Sequence, residues 1–534
     1  MGRRRGPLAS RRSPLLESPR PMASPSFLRL AFAGDVMLGR GVDAVNVTHR
    51  CSPEIYESCC RSAFDYVRLA RAAHGDPPAG HPAGRYDDPR RAWGTLLPDL
   101  RGGDDDRALC VNLETALTSR GAPWPDKGIH YRAHPVSATD ALLAAGVDFC
   151  ALANNHVLDW GEEGLADTLD ALDAAGVRRA GAGRDEDEAW RPAIVRPRAP
   201  RRKERGDSRR REGRSDSSRG SDDAPAALVL SVAHESSGVP RRWAATKTRP
   251  GVALVAYDDR SIERARDAFD RAEEALLEAS SKRRRSFESG DSTGPPPPPP
   301  RRPVRVVSVH WGGNWGWAPE PGQEAFARGL VRDASAAIVW GHSSHHAKAV
   351  AFDERSPILF GCGDLLNDYE GIAGFGADRG FSSEDAFPRG RRQRGSGSGS
   401  GRRAFRGDLS LLFEGTWSWP EAFEEASEES DASGDASAEG RLHVPSRASA
   451  HEKTVSRSVR PRFESLSATP TATRWLAANR AGASDAATLA ETLNVEGERI
   501  EGGARAKLGM STRGEDRGGG SYRIAIEPSA SASA

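Results

Sequence analysis

The chain has 534 residues, 37% hydrophobic and 28% charged, with 56 Gly and 36 Pro, so its packed part is shorter than its length. Its 76 Lys+Arg and 75 Asp+Glu nearly cancel to a formal net charge of +1, so no global field argues for nucleic acid or an acidic membrane surface as partner, and neither is expected. Six cysteines without a CxxC pair (Cys51, Cys59, Cys60, Cys110, Cys150 and Cys362) argue against a disulfide framework or structural zinc, and point to a reducing compartment.

Residues 1–26 read as a disordered leader, rich in Arg and Ser with Glu17 its only acid, and without the apolar core of a secretory signal. No window approaches the ~18 consecutive apolar residues needed to cross a bilayer. A cytoplasmic protein without a membrane span is expected, with organellar transit as the alternative. From 27 to 415, short apolar runs alternate with helical periodicity in a single domain. Strands are predicted at 28–34, 108–114, 147–154, 227–233, 252–257, 304–310, 336–341, 357–363 and 409–415. Such nearly continuous apolar runs suit strands buried on both faces beneath helices. One helix is predicted after Trp160, where Leu165, Leu169 and Leu172 share a face and Asp159 with Glu162 reads as a capping pair. Another is predicted over 262–279, with Ile262, Ala265, Phe269, Ala272 and Leu276 on one side. The fold class is layered α/β. Low-complexity insertions are expected at 200–223, 280–302 and 388–403. Residues 416–534 read as mostly disordered, with a Ser/Glu/Ala-rich run over 424–460 and a short packed segment at 461–495.

Five of these strands end in polar side chains: Asp35, Glu114, Asn155 with His156, His310, and the GHSSHH stretch that holds His342, His345 and His346. Carboxyl ends of strands line the ligand crevice of open α/β sheets, so the five ends converge on one edge. Imidazole, carboxylate and amide oxygen together suit a pair of borderline divalent cations, Zn, Mn or Fe, held about 3.5–4 Å apart by a bridging carboxylate. Each feature alone has a simpler reading: Asp after a strand as a turn residue, NNH as a turn, adjacent histidines as surface groups. There is no GxSxG, and Cys362 in FGCGD has no base beside it, so it reads as a small buried hydrophobe.

In chain order, FAGDVMLGRGV, VNLETALT, ALANNHVLDWGEEGLADTLDAL, SSGVPRRWAAT, HWGGNWGW, GHSSHHAKAV and PILFGCGDLLNDYEG resemble the CapA family, named for bacterial poly-γ-glutamate capsule synthesis. The resemblance covers 28–415 apart from the insertions. It implies kinship with calcineurin-like metallophosphoesterases, a four-layer α/β/β/α sandwich and two divalent metal ions (Mn, Zn or Fe). It further implies metal ligation by Asp35, Glu114, Asn155, His310, His342 and His345, with Glu114 bridging. Asp35 and His156 are the implied catalytic residues, His156 protonating a leaving group or contacting phosphate. The implied substrate is an anionic small molecule or polymer.

The chain departs from the family pattern in three places. Val36 and Met37 follow Asp35 where an imidazole is expected, Ser343 takes a histidine's place with His342 one residue earlier, and Asn314 with Trp315 replaces an acidic and aromatic pair. His346 is expected to point away from the centre, as an outer neighbour or toward solvent. Three functions are consistent with these residues: a metal-dependent hydrolase of the phosphoesterase type, a non-catalytic or transport-linked partner in poly-γ-glutamate production, and a degenerate domain binding one metal or none. Retention of Asn155, His156, His310 and His345 favours the hydrolase.

Overall fold

A computed structural model describes residues 26–55, 57, 60–102, 107–197, 224–289, 300–372, 405–420, 458–500, 504–513 and 521–529. The expected leader up to residue 25, the insertions 200–223 and 388–403, and the run 424–457 lie outside the described residues.

The chain folds as mixed α/β. Ser26–Val36 runs parallel to Arg107–Leu113, which runs parallel to Val147–Ala151, while Leu409–Trp419 lies antiparallel on the other side of Ser26–Val36. A second parallel set places Ala227–His234, Val304–His310, Ile338–His342 and Ser356–Leu359 side by side. The period of two along each strand then sorts the side chains. Leu28, Leu30 and Phe32, Ala108 and Cys110, Val304 and Val306, and Ile338 and Trp340 join one hydrophobic cluster, so the two sets meet face to face. Alternate residues Ala31, Ala33, Leu109 and Val111 pack with the helices Pro135–Ala145 and Gly161–Ala175. Val307, Val309 and Val339 pack with Asp259–Glu288 and Gln323–Arg332. Burial on both faces explains the unbroken apolar runs. Phe32 sits between Trp340 and Trp417, with ring centroids 5.3 and 6.4 Å away. Each such fully buried apolar side chain stabilises the fold by about 1.5–3 kcal/mol.

Some boundaries differ from expectation. The run 252–257 breaks into Gly251–Val252 and Leu254–Val255, and 357–363 ends its ladder at Leu359 before the chain turns at Gly363 (φ 80°). The predicted 262–279 helix starts earlier, capped by Asp258, and continues to Glu288 into the stretch expected as an insertion. Lys, Arg and Glu are strong helix formers, so basic composition alone does not end a helix. The helix after Trp160 lacks a side-chain cap, because Asp159 is engaged by Lys127, His156 and Tyr131 instead.

Beyond residue 416 the strand Arg462–Arg474 pairs along Leu409–Trp419, and the helix Ala483–Gly497 follows. The hairpin of Ala504–Arg513 and Ser521–Pro528 then joins Arg462–Arg474 to Val350–Asp353, linking the two strand sets at one edge. Packed structure therefore extends past the expected 461–495 segment. Within that segment RFESLSATPTATR holds few large apolar residues, so hydrophobic periodicity does not announce a strand there. Among the described residues no helix is long and apolar enough to cross a membrane.

Candidate metal centre

The faces that build the central cluster end in polar side chains. On Val304–His310 the series Val304, Val306 continues to Ser308 and His310; on Ile338–His342 the series Ile338, Trp340 ends at His342. On Arg107–Leu113 the series Ala108, Cys110 leads to Asn112, with Glu114 two residues on. On the first strand the register shifts between Phe32 and Asp35, which brings Asp35 rather than Gly34 level with Asn112. Asp35 also pairs in register with Asp364. That approach requires glycine at 34, where a Cβ would lie 1.7 Å from the Gly363 carbonyl oxygen.

Asp35 Oδ1 accepts from Asn112 Nδ2 at 2.7 Å, and Oδ2 accepts from the Ser343 backbone N–H at 3.1 Å. His310 Nε2 lies 3.1 Å from Asn155 Oδ1 and 3.6 Å from Glu114 Oε1. His156 Nε2 lies 3.9 Å from the same Glu114 oxygen. Asp35, Glu114 and His310 each bring one ligand atom within 4.8 Å of the others, and among the described residues no other trio of His, Cys, Asp or Glu does so. His342 Nε2 engages Ser308 Oγ at 2.9 Å, leaving Nδ1 3.6 Å from Asp35 Oδ1.

His345 is set differently. Its Nδ1 contacts both oxygens of Asp364, at 3.0 and 2.8 Å, and Asp364 also accepts from Asn367 Nδ2 at 2.9 Å. Asp35, Glu114, Asn155, His156, His310 and His342 thus converge, and His345 joins them through Asp364. His346 is 1% exposed, which corrects the solvent-facing expectation. Its ring lies parallel to Trp315 at 5.9 Å and edge-on to Trp317 at 4.6 Å, and these indoles exclude water from it. Burial pushes its pKa down to about 3.

The centre is short of positive charge. Burial lifts Asp35 to about 7, with Asp364 adding to the rise and the Asn112 hydrogen bond opposing it. Burial, then Asp35 and Asp364, holds Glu114 well above the carboxylate range, and burial holds His310 and His342 well below the imidazole range. Crowded buried carboxylates beside uncharged imidazoles are a donor set that a divalent cation would stabilise. The residues fit such an ion through Asp35, Glu114 and His310, with the buried His342 Nδ1, which no described residue hydrogen-bonds, beside them.

Several participants escaped the sequence reading. Asn154 donates to Asn112 Oδ1 at 3.1 Å and to the Leu113 carbonyl at 2.8 Å, while its Oδ1 accepts from His156 N at 3.1 Å. The Lys127 ammonium donates to Asp159 and to the Asn155 carbonyl, 3.2 Å from His156 Nδ1. Asp159 Oδ2 is 2.5 Å from that nitrogen. Asn112, Asn154 and Asp364 sit at or just after apolar runs, a usable signal; Lys127 and Asp159 lie in loops and carry none.

The chain matches the family described as bacterial capsule synthesis protein PGA_cap over residues 29–203 and 300–369, which include every polar residue of this centre. It is 39% identical, over 353 residues, to a probable polyglutamine synthesis accessory protein of Mycobacterium tuberculosis, covering 66% of this chain and 77% of that protein. It is 26% identical, over 243 residues, to the capsule biosynthesis protein CapA of Bacillus anthracis, covering 46% of this chain and 45% of that protein.

Proposed function

The chain belongs to the bacterial capsule synthesis protein family, and from that premise we propose that it serves poly-γ-glutamate synthesis as a divalent-metal-dependent hydrolase of the phosphoesterase type. The observation that carries this reading is the buried trio Asp35, Glu114 and His310 at ligand spacing. These three would hold the ion, with Asn155 Oδ1 and His342 Nδ1 beside them; the kinship implies a second ion, toward which His345 is the remaining imidazole. Zn, Mn or Fe there would supply Lewis acidity for water and for the oxygen of an anionic substrate. The kinship also orders the layers α/β/β/α, a reading supported by one hydrophobic cluster between the strand sets and one beneath each helix group.

His156 is the proton-handling residue of this proposal. Its ring is stacked on Tyr131 with centroids 3.6 Å apart, Nδ1 faces Asp159, and Nε2 faces Glu114. Burial, then Lys127 and Arg40, holds its pKa well below the imidazole range, and with Nδ1 facing Asp159 its Nε2 is the atom left to exchange a proton with a leaving group or to contact phosphate. A second reading, a metal-binding accessory protein without catalysis, is favoured by the engagement of His345 with Asp364 rather than with the trio.

Elemental analysis after loading with Zn, Mn and Fe, beside hydrolysis of bis-p-nitrophenyl phosphate by wild type and Glu114→Gln, separates the readings. Bound metal with hydrolysis lost in the variant supports the hydrolase. Metal without hydrolysis leaves the accessory role, and no metal in the wild type removes both.

A further inference from the structure

We infer that Arg40 is a positioning residue of this centre, which through Tyr131 and Tyr369 holds the two imidazoles, His156 and His345, that different strand sets contribute. The inference rests on the proposed reading of the centre as a reaction site. His156 follows Val147–Ala151 and His345 follows Ile338–His342.

Arg40 itself cannot reach a substrate. Its side chain is 1% exposed, and its donors are used internally. Nε donates to Asp368 Oδ2 at 3.2 Å, Nη1 to both Glu57 oxygens at 3.2 Å and to the Tyr66 hydroxyl at 2.9 Å, and Nη2 to Asp368 Oδ1. Two carboxylates, those of Glu57 and Asp368, thus hold the cation. Its faces are occupied as well: the guanidinium carbon lies 4.0 Å from the Tyr66 centroid, 4.6 Å from Tyr131 and 5.2 Å from Tyr369. Tyr131 stacks on His156 at 3.6 Å and 15°, and Tyr369 meets His345 edge-on at 5.2 Å and 77°. One cation therefore underlies both ring contacts.

A planar guanidinium can lie against aromatic faces while its edge donates in the same plane; lysine keeps the charge and loses that fork. Arg40 also has φ of 44°, in a region that side-chain-bearing residues avoid, and Asp368 Oδ2 holds the turn by accepting from Gly41 N at 2.9 Å. This backbone arrangement persists because the surrounding contacts over-determine it.

Imidazole resonances in long-range proton–nitrogen spectra report ring stacking directly, without activity or metal. At fixed pH, Arg40→Lys should shift the His156 and His345 signals together, Tyr131→Leu only that of His156, and Tyr369→Leu only that of His345. His81 and His234, outside this contact chain, should stay in place. Unmoved His156 and His345 signals in folded Arg40→Lys, or equal movement of all histidines, would overturn the inference. Should Arg40→Lys not fold, the two tyrosine variants decide, and failure of either to move its own histidine alone overturns it. Where wild type hydrolyses bis-p-nitrophenyl phosphate, Arg40→Lys should lose about 10- to 100-fold in kcat with KM unchanged, as for other residues supporting a metal site from outside. Absence of hydrolysis in wild type would count against the hydrolase proposal and leave the spectroscopic result to judge Arg40.

Discussion

His342 Nδ1 lies 3.6 Å from Asp35 Oδ1, and among the described residues nothing completes a hydrogen bond to it. A buried polar atom left in that state costs about 1–3 kcal/mol. A cation shared with Asp35 would remove the cost.

Zinc or manganese should therefore raise the melting temperature of the wild type, less in His342→Ala, and not at all in His310→Ala, which removes a member of the trio. His346→Ala should keep the metal yet lose about 0.5–3 kcal/mol of stability, because its ring packs with indoles rather than facing the ion. Elemental analysis with thermal unfolding checks both. Equal metal loss in His310→Ala and His346→Ala contradicts the assignment.

The same ion should bind with a definite pH dependence. Without metal, Asp35 titrates near 7 in the fold against 3.8 in the unfolded chain. A raised folded pKa gives stability that is complete below the unfolded value and is lost as pH rises through about 7, since the folded state holds the proton longer. A cation replaces that proton, so its stabilising effect should be greater at about pH 8 than at about pH 5.5. Melting temperatures with and without zinc at the two pH values test the sign.

Asp159→Asn should destabilise the fold by roughly 2–3 kcal/mol. The change leaves Lys127 without its carboxylate, and the cost stays below that of a wholly buried pair because the Lys127 side chain keeps 18% exposure. Adding Lys127→Met should recover part of the loss. Urea unfolding of the single and double variants measures the coupling, and strict additivity would deny the pair its role.

Gly34→Ala should be among the most disruptive small changes in the chain. The new Cβ would meet the Gly363 carbonyl oxygen at 1.7 Å and Cys362 Cβ at 3.1 Å, so the strand ends bearing Asp35 and Asp364 must separate. A loss above about 3 kcal/mol, with weaker metal binding, is expected in thermal unfolding and metal titration. Wild-type stability in this variant would contradict the close approach.

The sequence by itself determined the α/β class and the strand ends of the centre. Val304–His310 and Ile338–His342 are apolar runs closed by imidazole, and a strand buried on both faces must be written that way. Their place at the carboxyl ends of apolar runs made Asp35, Glu114, His310 and His342 legible as candidates. Only the tertiary structure decided which of them touch. Asp364 enters because its strand pairs in register with Asp35, and Asn112 because a register shift brings it level with the same residue. Lys127, Asp159 and Arg40 stand in no apolar run; their partners come from distant loops, and no local pattern encodes a long-range pairing. The strand Arg462–Arg474 falls inside the segment expected to pack, but its partner was not legible for a related reason, since its place is set by hydrogen bonds to Leu409–Trp419 rather than by large apolar side chains of its own. Apolar burial is written locally, residue by residue; strand register and buried charge pairing exist only between segments, once the chain has closed on itself.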